Sequence, residues 1–373
     1  MKKVLIINNL YVKSNICLTL GSTTTIITDM CGTLTKNVMS VTDILIGNQI
    51  SEAKELADLF KYLNERAGSS PTNILPVLEL IAHNFSINSD DYSQITENGI
   101  QSGNRIDCAM LGLVKSMGLD YMKIRQAPEY AASDGLKWGR NAGEGAGRGN
   151  PPILAFSSSR KRQSWLLPLR SRDWCAYDSD QYTPSYALGD DQLRMHCKGA
   201  SEVVLNRCSF YLDENNIKQD MTEAYKTKVL NTIIDFSNQG KRTLVTAYRD
   251  FPSWIVFEDQ LNKCYQTPRL ESGDQTQEQI DCDPERNMIF LCCVAIRDAL
   301  RPGIKSAVDR CREAGITSIM TTGETINVAV AVAIEAGIIV GANPMAADVQ
   351  DPMILQRLSD ENIAMTGSDF SKR

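Results

Sequence analysis

Histidine is almost missing. Across 373 residues only His83 and His196 occur, too few for an imidazole-built metal centre. None of the eleven cysteines forms a CxxC pair, so neither a redox dithiol nor a zinc knuckle is expected. These thiols read as reduced and cytosolic, with adjacent Cys292 and Cys293 packed inside an apolar run. An excess of positive charge is lacking too. The net charge of −6 gives no electrostatic basis for nucleic acid, or for an anionic membrane, as the main partner. Long apolar runs are scarce. Lys2 and Lys3 precede only Val4–Ile7, too short for a secretory core. The longer run from Val328 to Ala347 is interrupted by Glu335, Gly337 and Pro344, so it reads as a buried helix followed by a strand, not a membrane span. A hydrophobic content of 43% is that of a soluble globular chain, enough for about two or three domains.

What is present is easiest to read after Met288. Met288–Ile296 is a continuous apolar run suited to a buried strand. Pro302 can open a helix, on which Ile304, Ala307, Val308, Cys311 and Ala314 recur at helical spacing, and Gly315 ends it. Ile316–Met320 reads as a strand, 326–336 as a helix capped by Gly337, and Ile338–Val340 as a further strand. This alternation predicts a parallel sheet with right-handed crossovers, whose ligands gather beyond the carboxyl ends of the strands. Asp29, closing the β-branched run Thr23–Thr28, and Thr322 both stand at such ends, and their convergence is expected.

The middle of the chain is less regular. Asp220 and Glu223 are spaced as a capping box before a helix whose stripe of Tyr225, Val229, Ile233 and Phe236 is core packing, and Gly240 ends that helix. Glycines 143, 145, 147 and 149 crowd the stretch 131–152 without dinucleotide-binding spacing, so it reads as a flexible insertion. A second insertion is expected at 166–190, which carries scattered aromatics and no periodicity.

The heptapeptide Asp29-Met30-Cys31-Gly32-Thr33-Leu34-Thr35 resembles the P-type ATPase signature DKTGTLT in five of seven positions. A nucleophilic carboxylate on a rigid strand end suits phosphoryl transfer, Gly32 permits close backbone approach, and Thr33 can cap the next turn. Four more segments are similar to those of plasma-membrane-type calcium-transporting P-type ATPases: Asn104–Ala109 to NxTEC(A/G), Phe156–Lys161 to F-(N/S)-S-x-R-K, Lys198–Glu202 to KGASE, and Gly240–Phe251 to G-x-RT…AYRDF. Asp298–Pro302 resembles DPLRP, Cys311–Thr317 is similar to C-x-x-AGIT, and Thr322-Gly323-Glu324 stands where the family has TGD.

That resemblance implies a haloacid-dehalogenase-like, Rossmann-type parallel sheet, discontinuous in the chain and incomplete, with an inserted α+β nucleotide-binding domain on an antiparallel sheet. The implied division is 1–45 and 288–373 for phosphorylation, with 46–287 for nucleotide. It implies ATP and Mg2+ as cofactors and calcium as the ion carried by the intact pump. Asp29 would take the phosphoryl group, with Thr33, Thr322 and Gly323 contacting it. Asp29 and the Cys31 carbonyl would face magnesium. Phe156 would stack on adenine, Lys198 and Gly199 would line the base pocket, and Lys161 and Arg242 would neutralise phosphate oxygens. Asp107 would bond near the adenine amino group or orient the basic side chains. The expected partners are ATP and the pump's membrane and actuator domains, on the cytosolic side of a membrane.

Departures from the pattern open a second reading. Met30 replaces a lysine, Cys31 a threonine and Glu324 an aspartate, and the lysine-bearing segment and GDGxNDxP hinge that follow in the family are not in the sequence. A degenerate, non-catalytic nucleotide-binding pseudo-ATPase fits these departures, so the enzyme and binding-module readings both stay open. A stand-alone dehalogenase-like phosphatase fits less well, because it too needs the acidic motif.

Overall fold

A computed structural model describes residues 21–65, 75–90, 92–126, 153–168, 193–213, 215–266, 283–340 and 363–371. The chain divides into two compact units. One comprises 1–37, 238–240 and 298–373, the other 38–237 and 241–297. The expected insertion at 131–152 lies outside the described residues, as does the second one beyond Pro168.

In the first unit, strand β1 (Thr25–Asp29) pairs in parallel with strand β13 (Thr317–Thr321). Helices span Ile304–Glu313 and Ile326–Glu335, as the 3.6-residue spacing predicts. The second is the apolar one, burying Val328 and Val330 to Ile334. Gly315 and Gly337 end these helices with φ of 73° and 78°, a left-handed conformation that spares glycine the usual Cβ clash. Ile338–Val340 is not a strand. The amides of Ile338 and Ile339 both turn back to the Ala333 carbonyl, satisfying the helix end instead of a sheet. Among the described residues no helix is long and apolar enough to cross a membrane.

The second unit is built on a large, mainly antiparallel sheet. Its strands are β2 (Thr35–Ile46), β3 (Gln49–Glu52), β6 (Ile153–Leu154), β7 (Arg162–Pro168), β8 (Leu193–Ala200), β9 (Cys208–Leu212), β10 (Lys218–Asp220), β11 (Arg242–Phe251) and β12 (Met288–Leu300). Their order is β10-β9-β12-β11-β8-β7-β6, with β2 pairing both β12 and β3. A minor hairpin joins β4 (Gln94–Ile95) to β5 (Gln101–Ser102).

The apolar run after Met288 corrects the expectation that it opens the parallel sheet. It becomes β12 in the antiparallel sheet, opposite β11 and parallel only to β9. A strand buried on both faces is apolar at every position whichever way its neighbours run, so its composition could not choose the partner. Two apolar clusters sandwich this sheet. One includes Phe60, Phe85 and Met110 from helices Ala53–Glu65, Leu75–Ile87 and Arg105–Ser116, and the other includes Val229 and Ile233 from helix Glu223–Asn238. That last helix is capped by Thr222, whose hydroxyl accepts from the Tyr225 amide at 3.2 Å. Asp220, expected in that role, is instead the last residue of β10.

Candidate functional site

The Asp29–Thr35 segment is a strand end followed by a tight turn. Asp29 is exposed, and its Oδ1 accepts from the Met30 amide at 2.8 Å, turning the chain out of β1. Gly32, at φ 78°, continues the turn, and its amide donates to Thr35 Oγ1 at 3.0 Å. The buried Thr35 hydroxyl in turn donates to Asp298 Oδ2 at 2.6 Å. Arg301 closes the loop, its guanidinium on the Gly32 carbonyl at 2.7 Å and its amide on the Leu34 carbonyl at 2.8 Å. Asp298 and Arg301 thus brace the turn bearing Thr33, a function the motif match did not reveal.

The two strand ends are level. Asp29 is opposite Thr321, one residue before Thr322, and the Thr321 hydroxyl reaches the Thr28 carbonyl at 3.4 Å. Thr322 Oγ1 accepts from the Glu324 amide at 3.2 Å, so the turn through exposed Gly323 is held by that hydroxyl. Met30 turns inward. It is 2% exposed and belongs to a cluster with Val328 and Val332. Among the described residues no three His, Cys, Asp or Glu side chains gather as a metal site. Asp29 is the exposed carboxylate at the end of β1, and such a donor fits magnesium only when substrate phosphates supply further oxygens.

The second constellation lies wholly in the sheet unit. Asn104 caps helix Arg105–Ser116 by accepting from the Ile106 amide, which places Asp107 in the first turn, where the helix dipole favours a carboxylate. Asp107 and Lys198 form a buried ion pair. The other Asp107 oxygen accepts from the Asp90 amide at 2.8 Å and from Ser93 Oγ at 3.5 Å, so the buried carboxylate is fully engaged. Lys198 and Gly199 lie on β8, flanked by Gln163 and Arg162 of β7 and by Thr246 and Val245 of β11.

Gly199 sits against the start of β7 with no room for a side chain. A Cβ there would stand 2.5 Å from the Lys161 carbonyl oxygen and 2.6 Å from Arg162 Cβ. The Lys161 carbonyl accepts from the Ala200 amide at 2.9 Å, and the Lys161 amide bonds back to Ser157 O at 2.7 Å. The loop before β7 therefore begins beside Gly199 and carries exposed Phe156, at 62% exposure, and exposed Lys161. Arg242 opens β11 two residues beyond the Leu244–Ala200 pair, half-buried, with Nη1 3.8 Å from Met39 Sδ. Asp107, Lys198, Gly199, Lys161 and the Phe156 loop are thus gathered around one edge of the β7–β8 pair, and Arg242 lies past the same end of the sheet.

Sequence reasoning missed Glu285 entirely. Its buried carboxylate takes Arg160 Nη2 at 2.5 Å, Arg162 Nε at 2.6 Å and Ser164 Oγ at 2.6 Å. No local pattern marks a partner more than a hundred residues away.

Residues 77–303, more than half of the chain, match the family model described as P-type ATPase, cytoplasmic domain N. The chain is 30% identical over 342 residues to calcium-transporting ATPase PAT1 of Dictyostelium discoideum, covering 91% of this chain and 24% of that protein. It is 30% identical over 349 residues to plasma membrane calcium-transporting ATPase 2 of Oreochromis mossambicus, with 91% and 25% covered. Against plasma membrane calcium-transporting ATPase 4 of Homo sapiens the identity is 29% over 352 residues, with 91% and 22% covered. The chain spans about a quarter of the length of these relatives. By the extent of the family match, this chain belongs to the P-type ATPases, in the region described as their cytoplasmic domain N.

Proposed function

We propose that this chain is the ATP-gripping lobe, with part of the phosphorylation domain, of a calcium-transporting P-type ATPase. The carrying observation is the β7–β8 edge, where the paired Lys198 and Asp107, the close approach at Gly199 and the exposed Phe156–Lys161 loop occur together. In this reading Phe156 stacks on adenine, and Lys198, oriented by Asp107, presents its charge beside the base. Lys161 and Arg242 neutralise phosphate oxygens. The remaining unit is read as a haloacid-dehalogenase-like fragment in which the Asp29 carboxylate would attack the terminal phosphoryl group, breaking its bond to ADP, with Thr33, Thr322 and Gly323 contacting the group transferred. Magnesium would arrive with the nucleotide, facing Asp29 and the Cys31 carbonyl, and would supply charge neutralisation. Calcium transport belongs to the intact pump.

A second reading, nucleotide binding without phosphoryl transfer, is favoured by one observation. Position 30 carries a methionine buried in an apolar cluster, not a cation. Calorimetry with ATP tests the first reading, and a dissociation constant in the tens of micromolar to millimolar range is expected, roughly 4–6 kcal/mol. Phe156→Ala should weaken it without unfolding the protein, because that ring is already exposed. Absence of heat with the parent chain would remove the nucleotide reading. Labelled ATP separates the two readings. Acid-stable, hydroxylamine-sensitive label lost in Asp29→Ala would establish transfer, and its absence beside measurable binding would establish the pseudo-ATPase.

A further inference from the structure

The segment 283–286 is held with unusual thoroughness for a turn leading into a strand. Arg207 Nη1 donates to Asp283 Oδ2 at 2.5 Å and to the Glu285 carbonyl at 3.3 Å. Arg249 Nη1 reaches the carbonyls of Pro284 at 3.1 Å and Arg286 at 2.9 Å. Asp283 Oδ1 accepts from the Glu285 amide at 2.9 Å. These bonds fix the backbone of Glu285, whose side chain is 3% exposed and faces the beginning of β7. A buried carboxylate must be matched by cations and donors, and here Arg160, Arg162 and Ser164 supply them. Arg160 then passes the constraint onward. Its Nη1 donates to the Ala155 carbonyl at 2.6 Å, one residue before Phe156, and its backbone amide donates to Ser157 Oγ at 3.1 Å.

We infer that Glu285 is a positioning residue for nucleotide, acting through Arg160 to fix the Phe156–Lys161 loop against the β7–β8 edge. The inference rests on the nucleotide-binding reading above and deepens it by naming what orients the aromatic platform. Phe156 is 62% exposed, so its direction depends chiefly on the backbone that carries it. That backbone is tied at Ala155 by Arg160, and Arg160 is tied by Glu285. An exposed loop held this way loses less conformational freedom on binding than a free one, which is the thermodynamic benefit of preorganisation.

The test is a coupling cycle on ATP affinity, measured by calorimetry with the full chain. Phe156→Ala alone should weaken ATP by about 5- to 150-fold, the range of a lost base–aromatic stack. Glu285→Gln, which keeps the shape but lacks the charge that pairs two guanidinium groups, should weaken it about fivefold or more. In the Phe156→Ala background Glu285→Gln should have a clearly smaller effect, limited to what the same loop does through Lys161. Arg160→Lys provides a second route that leaves the Arg162 and Ser164 bonds to the buried carboxylate in place. It keeps the positive charge but loses the fork that spans Glu285 and Ala155, and it should show the same coupling. Unchanged affinity in Arg160→Lys and Glu285→Gln, or losses that simply multiply with Phe156→Ala, would overturn the positioning role. Failure of the parent chain to bind ATP is a different result, and it strikes the nucleotide reading on which this one stands.

Discussion

Gly199→Ala tests the closest packing in the sheet unit. The added methyl carbon would lie 2.5 Å from the Lys161 carbonyl oxygen, 2.6 Å from Arg162 Cβ and 2.8 Å from Arg162 Cα. Two of these are backbone atoms. Arg162 is also anchored by Glu285, so a small side-chain rotation cannot relieve the clash. Relief requires moving β7 away from β8. Overpacking of this kind costs about 1–3 kcal/mol. The separation also strains the Ala200 amide to Lys161 carbonyl bond of 2.9 Å, whose loss costs about 0.5–1.5 kcal/mol. The expected destabilisation is therefore about 1.5–4.5 kcal/mol. Urea unfolding should show a midpoint lowered by roughly 1 M, taking a slope near 3 kcal/mol/M. Gly112→Ala is the control. It lies within helix Arg105–Ser116, its methyl would meet only Ile95 Cδ1 at 3.5 Å, and it should hold or raise stability by up to about 1 kcal/mol. If Gly199→Ala lost less than about 0.5 kcal/mol while Gly112→Ala behaved as expected, the close approach of β7 and β8 would be wrong.

Three shorter expectations follow from buried groups. Met30→Lys should destabilise the first unit by about 3 kcal/mol, since it places an ammonium among Val328 and Val332; unchanged thermal stability together with gain of phosphoenzyme would contradict this. Burial, chiefly, with Arg194 and His83 adding to it, holds His196 well below its ordinary pKa, so the fold keeps it neutral. The unfolded chain binds the extra proton once pH falls below about 6.5, so stability is intact above that point and falls beneath it by up to about 1.4 kcal/mol per pH unit. Urea midpoints across pH 5–7.5 should show that slope, and His196→Gln should flatten it. Burial also pushes the Cys292 thiol up to about 12, so a thiol reagent near neutral pH should label it only after unfolding; mass spectrometry showing Cys292 labelled as fast as half-buried Cys311 in the native chain would refute its burial.

Local elements of the fold were largely readable because period and punctuation are local properties. The stripe Tyr225, Val229, Ile233 and Phe236 is buried along one helix, and Gly240, Gly315 and Gly337 all adopt positive φ at helix ends. Partner choice was not readable. The Met288–Ile296 run has the same apolar composition beside β11 and β9 that it would have in a parallel sheet. Capping was legible only to within a position or two, because Asp220 and Thr222 both offer an oxygen and the reach of β10 decided between them. At the site, Asp107 and Lys198 could each be named, yet their ion pair spans 91 residues of sequence and has no local signature. Glu285 was invisible for the same reason. Met30 could be recognised as a missing charge, but not as a core residue. A methionine at a strand end is compatible with either orientation until its neighbours on helix Ile326–Glu335 are known.

That inward methionine bears on how the two readings of function can separate. Asp29, Thr33, Thr322 and Gly323 all belong to the first unit, whereas Asp107, Phe156, Lys161, Lys198, Gly199 and Arg242 belong to the second. The apolar clusters divide the same way. Met30 packs with Val328 and Val332, and the sheet unit keeps its own clusters around Phe60, Phe85, Val229 and Phe290. Met30 and the β7–β8 residues fall in different units and different apolar clusters, so substitutions at the two places are expected to act additively on stability. Loss of a cation beside a phosphoryl site acts on transfer, which depends almost wholly on positioning and charge. In the proposed reading the residues assigned to adenine, like the Lys198–Asp107 pair, belong to the other unit. Nucleotide binding that survives without phosphoryl transfer is therefore the combination this chain can reach by the fewest changes. On the proposed reading transfer without binding is not expected, because Asp29 would act on a phosphoryl group already held in place.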